Sequence, residues 1–104
     1  MKVLLDYSAP VQLREAFAND EVQTANQLGW GEIEDGELIR LAESNGFDLL
    51  LVCEKNLAVP EGKRRLRIIE IWSNHRPSLQ HRYPFVRLVS ETMKPGEYRV
   101  MAAP

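Results

Sequence analysis

Met1-Lys2-Val3-Leu4-Leu5-Asp6 is the stretch whose reading decides the fold. A short apolar run that stops on a carboxylate suits an interior strand of a parallel sheet, because such strands are covered on both faces and lose the polar alternation. In open sheets of this kind ligands sit outside the carboxyl ends of the strands. Asp6 is therefore expected at the mouth of a cleft, and the question becomes which other residues converge on it.

Working outward, the pattern recurs. Leu49-Leu50-Leu51-Val52-Cys53 is the most hydrophobic run in the chain and also stops on an acid, Glu54. A further strand is expected over Arg67-Ile68-Ile69-Glu70-Ile71-Trp72, and an alternating edge strand over Glu97-Tyr98-Arg99-Val100-Met101. Glu21-Val22-Gln23-Thr24-Ala25 alternates weakly and reads as a short strand, followed by a helical turn through Leu28 that Gly29-Trp30-Gly31 ends.

Helices fall between these runs. After Ser8-Ala9-Pro10, the residues Val11, Leu13, Ala16 and Phe17 recur at roughly helical spacing until Asn19-Asp20 breaks the pattern. The clearest helix follows Asp35-Gly36-Glu37, carries Leu38, Ile39, Leu41 and Ala42, and closes on Asn45-Gly46. Lys55 to Gly62 holds Pro60 and Gly62 and is too short for a crossover helix, so it reads as a loop. Leu79, Phe85, Val86, Leu88 and Val89 support a helix from Ser78 to Met93 whose regular part begins or kinks at Pro84 and which Pro95-Gly96 ends. Four or five short strands interleaved with helices define an α/β, mostly parallel, three-layer sandwich.

With 104 residues, 44% hydrophobic and 27% charged, the expected organisation is one domain over residues 1–104. No apolar stretch is long enough for a membrane span, and the N-terminus lacks the basic-then-apolar pattern of a secretory leader, so a cytoplasmic location is expected. Cys53 is the sole cysteine and has no internal disulfide partner, and no CxxC or His/Cys cluster offers a zinc site. Charge is divided along the chain. Residues 1–54 hold 3 basic against 11 acidic side chains, a net of −8, whereas residues 55–104 hold 10 against 4, a net of +6. That split fits either a metal-binding carboxylate cleft with a phosphate-attracting rim or two solvated faces of opposite sign.

Three acids take equivalent places in this layout: Asp6 after the first strand, Asp35 opening the helix, and Glu54 after the strand that helix feeds. Carboxylates brought close together repel, which favours a bound hard cation such as Mg²⁺ or Mn²⁺. An ion so placed lowers the pKa of a bound water and polarises a phosphodiester. Each acid also has a structural reading. Asp35 fits an N-cap, Glu54 the point where a strand meets water, Glu37 a dipole-favouring first-turn residue, and Asp48 a turn. Lys63, Arg64, Arg65 and Arg67, with His75 and Arg76, suit either a phosphate-backbone track or a solvated loop whose arginine stems cover a strand end. Asn74-His75-Arg76 follows a strand end and is expected on the same edge as the acids. Trp30 and Trp72 read as core or cleft-wall residues, and Cys53 as an inert small hydrophobe.

The opening MKVLLD, the segment DGELIRLAESNGFDLLLV (35–52), the following EKNL (54–57) and the terminal MKPGEYRV (93–100) together resemble the short PIN-like proteins of the toxin-type branch of the PIN nuclease superfamily. The similarity covers nearly the whole chain in order and length. It implies a Rossmann-like sheet in the order 3-2-1-4-5, Mg²⁺- or Mn²⁺-dependent endoribonuclease activity on an RNA substrate, a cognate antitoxin of a toxin–antitoxin pair, and a tendency to homodimerise. Asp6 matches the first metal acid, Asp35 the helix acid and Glu54 the acid of a Thr-x-Asp motif, while Asn56 stands where such enzymes often carry a further acid. The chain departs from the pattern at Val52 in place of Thr, at Cys53, at Glu54 in place of Asp, and at Tyr7 where a second polar or acidic group is usual. Two functions follow: a metal-dependent ribonuclease with weakened activity, or a catalytically degenerate PIN-like module that binds a partner protein or nucleic acid. A receiver-like phosphoacceptor fails, because glutamate does not readily replace the aspartyl acceptor and residues 55–66 leave no room for the required helix.

Overall fold

In a computed structural model that describes residues 1–53, 57–72 and 82–101, five strands form one sheet whose neighbours are all parallel. They are β1 (Lys2–Leu5), β2 (Glu21–Thr24), β3 (Leu49–Val52), β4 (Arg67–Glu70) and β5 (Tyr98–Val100). The spatial order is β2-β1-β3-β4-β5. The α/β three-layer expectation holds. The order differs from 3-2-1-4-5 in having a single strand outside β1, because the chain pairs β2 with one side of β1 and then crosses to lay β3 on the other.

Alternation of side chains divides the core into two layers. Val3 and Leu5, Leu49 and Leu51, and Ile69 and Ile71 pack with Leu13, Phe17, Tyr83 and Val86. Leu4, Leu50, Val52 and Ile68 pack on the opposite face with Leu38, Ile39 and Ala42. A 3₁₀ helix (Val11–Phe17) and α2 (Tyr83–Thr92) therefore cover one face, and α1 (Asp35–Ser44) covers the other. The central strands are sealed on both sides, which is why the runs MKVLLD and LLLV show no polar alternation.

Local chemistry accounts for the departures at element ends. The segment after Pro10 is 3₁₀ rather than α, Pro10 provides no side-chain cap, and Leu13 and Phe17 are its buried residues with Ala16 partly buried between them. Helix α2 begins at Tyr83 with Pro84 in its first turn, where a missing N–H costs nothing. The expected start at Ser78 lies outside the described residues. Helix α1 ends as its sequence indicates. Gly46 takes φ +79°, with its N–H donating to Glu43 O at 3.2 Å and the Phe47 N–H donating to Ala42 O at 3.0 Å.

Because α1 returns between two parallel strands, its first turn lies at the carboxyl edge of the sheet and its last turn at the amino edge. Residues 57–66, which link β3 to β4, run beside it: Pro60 lies near Gly36, and the Glu43 carboxylate accepts the Arg65 and Leu66 N–H groups at 2.8 and 2.7 Å. This segment replaces a crossover helix, as its length requires.

Candidate functional site

The strand order changes direction between β1 and β3, and in doubly wound sheets the carboxyl ends at such a switch point border the ligand crevice. Asp6 stands there. Its N–H extends the ladder to Leu51 O at 3.0 Å, and the residue is 4% exposed. Oδ2 accepts from the Ser8 hydroxyl at 2.6 Å and from the Ser8 N–H at 3.2 Å. The Ser8 Oγ in turn accepts the Cys53 N–H at 3.0 Å, so one hydroxyl joins the ends of β1 and β3. Burial, and secondarily the Asp6 charge, push the Cys53 thiol up to about 12 from 9.0. It stays protonated at neutral pH and is no nucleophile, as its reading as a small hydrophobe anticipates.

Beside this crevice lies an open cleft of about 740 Å³ lined by Tyr7, Glu32, Glu34, Asp35, Gly36 and Ala58 among others. Tyr7 is 58% exposed. Asp35 is not the N-cap expected from sequence: Glu34 occupies the cap position, without a side-chain hydrogen bond, and its carbonyl accepts the Leu38 N–H at 2.9 Å. As the first helical residue Asp35 keeps the favourable dipole interaction, and its position in the wall of the cleft is compatible with a site role. Gly31 in the same wall lets the Asn26 side chain lie close, since a Cβ there would fall 2.2 Å from Asn26 Oδ1 and displace that amide.

A buried acid that sequence reading assigned no site role stands on this edge. Glu70, the last residue of β4, is 8% exposed and accepts the Tyr98 hydroxyl at 2.7 Å. Burial, then that hydrogen bond, raise the Tyr98 pKa, with the charges of Glu70 and Asp35 adding to the effect. The signal in the sequence is a lone carboxylate inside Ile68-Ile69-Glu70-Ile71.

The basic triplet does not join the acids. Lys63 and Arg64 line a hollow of about 220 Å³ with Ile39, Arg40 and Glu43, on the C-terminal half of α1. Arg65 lies with Gly46, Phe47 and Asp48 at the amino edge of the sheet. The physical reason is the direction of residues 57–66, which must descend the length of α1 to begin β4 beside Leu49. Glu54, Asn56, His75 and Arg76 lie outside the described residues, as does His81. Trp72 is a core residue stacked on Tyr83 with centroids 6.0 Å apart, and Trp30 meets Phe47 edge-on at 6.2 Å.

Among the described residues no three His, Cys, Asp or Glu side chains stand close enough to hold a metal ion. Asp6 and Asp35, both on this edge, are oxygen donors of the kind that hard divalent cations take. The named cleft-lining side chains are acidic or uncharged, so a polyanion would need a cation to approach it. No protein-family model, curated protein or solved structure matches the chain.

Proposed function

We propose that the chain is a PIN-like, metal-dependent endoribonuclease of toxin–antitoxin type with weakened activity, working at the carboxyl edge of its sheet. The observation that carries this reading is that Asp6 follows β1 at the switch point and Asp35 opens α1 in the wall of the adjoining cleft, whose other acids are Glu32 and Glu34. Asp6 and Asp35, with Glu54, would hold Mg²⁺ or Mn²⁺, and Asn56 would add a neutral oxygen. Once bound, the ion supplies an activated water and polarises the scissile phosphodiester. The Ser8 hydroxyl orients the Asp6 carboxylate, and Arg76 and His75 would hold RNA near the ion. Lys63, Arg64 and Arg65 reach only RNA that extends along α1 to the amino edge. A cytoplasmic location and a cognate antitoxin belong to the same reading.

The test is cleavage of single-stranded RNA with Mn²⁺ or Mg²⁺ by the wild-type chain and by Asp6→Asn. Activity that requires the ion and disappears in the variant is expected. Undiminished cleavage by Asp6→Asn ends the nuclease reading.

A second reading, a degenerate PIN-like interaction module, is favoured by a separate observation: Phe85 and Leu88, three residues apart on α2, are both more than half exposed. Such a face suits an antitoxin or a second copy of the chain. Calorimetry separates the readings, since the module is expected to take up no Mn²⁺ below millimolar concentration.

A further inference from the structure

We infer that Tyr98, anchored by Glu70, is a positioning residue that holds the 57–60 wall of the acidic cleft against the first turn of α1. The inference deepens the metal-site reading of this edge and rests on it for its consequence, though not for its geometry.

The register shows how the pair forms. Ile68 lies opposite Tyr98 and Glu70 opposite Val100, so Glu70 and Tyr98 share the α1 face of the sheet and are diagonal neighbours. An aromatic side chain is long enough to reach across such a diagonal. The phenol spans it toward the carboxyl edge and donates to Glu70 Oε1 at 2.7 Å. Its ring packs against the cluster that contains Leu38 and Leu57, as Val59 does. The backbone of Leu57 opposes the rise in the phenol's pKa, and the neighbouring Ala58 lines the cleft with Asp35 and Gly36.

The chemistry of the pair explains why both residues are polar in an apolar layer. A carboxylate that is nine-tenths buried is costly unless donors meet it. Tyr98 supplies one without adding charge near Asp35, where a lysine or arginine would compete with a cation for that acid. Phenylalanine would preserve the packing and remove only the donor.

The experiment uses the full chain, Tyr98→Phe and Glu70→Gln, with two readouts. Calorimetric titration with Mn²⁺ measures the site, and amide hydrogen exchange at Leu57 and Ala58 measures the wall. In Glu70→Gln the amide oxygen still accepts from the phenol, so affinity within about twofold of wild type and unchanged exchange are expected. In Tyr98→Phe the affinity is expected to fall about fivefold, less than for loss of a group bonded to a ligand itself, with faster exchange at both amides. Equal Mn²⁺ affinity and equal exchange in Tyr98→Phe and wild type would overturn the inference. If wild type binds no Mn²⁺, the metal reading of this edge fails separately, and the exchange data alone decide: faster exchange in Tyr98→Phe upholds the wall and unchanged exchange overturns it.

Discussion

The two edges of the sheet use the same residue types for different ends. At the amino edge, described acids meet main-chain or cationic donors. Asp48 accepts the Lys2 N–H at 2.7 Å, Glu43 accepts two consecutive N–H groups, and Asp20 accepts the terminal ammonium at 3.1 Å and Arg87 Nε at 3.3 Å. At the carboxyl edge a hydroxyl meets each of the two buried acids, Ser8 on Asp6, where the Ser8 N–H is a second donor, and Tyr98 on Glu70, beside an open cleft. A backbone N–H leaves its acceptor no freedom, since it is fixed by the ladder it terminates. A hydroxyl rotates, and it both donates and accepts, so a carboxylate held by one can be re-satisfied when a cation arrives. The comparison teaches that charge at the amino edge closes the sheet, whereas the buried acids at the carboxyl edge are held by rotatable donors beside a cleft.

Substitutions at the two edges can break that contrast. The largest stability loss is expected from Gly96→Ala at the amino edge. Gly96 takes φ +82° and a Cβ would meet the Arg64 carbonyl oxygen at 2.5 Å, so strain and overlap together should cost on the order of 3 kcal/mol in urea unfolding. A loss near zero would mean the edge yields. Next comes Glu43→Ala, which strips the acceptor from the Arg65 and Leu66 amides. One of these is partly buried, and about 1–3 kcal/mol is expected by the same measurement. Asp6→Asn at the carboxyl edge should cost only about 1 kcal/mol, because the side-chain oxygen still accepts from Ser8. A loss larger than that of Glu43→Ala would place Asp6 among the structural acids and remove the distinction.

The smallest effect sharpens the picture at the switch point. With its folded pKa pushed up to about 12 from 9.0, Cys53 holds its proton more tightly folded than unfolded. Its contribution to stability is full below pH 9 and is lost as pH rises toward 12. Alkylation of the native thiol at pH 8 should run far slower than in the urea-unfolded chain, and equal rates would mean that the carboxyl ends of β1 and β3 open freely.

Much of the frame was legible because it depends on local pattern. Leu49 to Val52 reads as a buried strand since all four residues are apolar, and Asn45-Gly46 reads as a helix end since glycine takes the left-handed turn there. Of the site, Asp6 was legible as an acid closing an apolar run. Asp35 was legible as a helix-opening acid but was assigned the wrong position, because Glu34 and Asp35 are equally acidic and only backbone geometry separates cap from first turn. Glu70 is not legible as a site residue, for the opposite reason. Its neighbours made a convincing strand, and its partner Tyr98 lies 28 residues away on another strand. Lys63 to Arg65 read equally as a phosphate track or a solvated loop, because nothing in their order says that residues 57–66 descend the whole of α1.

The sequence by itself determined which segments become buried strands, where α1 closes, and that acids end the first two apolar runs, since each rests on periodicity, side-chain size or backbone freedom within a few residues. Only the tertiary structure decided the strand order and which edge each charge occupies. Those outcomes depend on which side of β1 a crossing segment lands and on which face each side chain points, and both are fixed by packing between residues far apart in the chain.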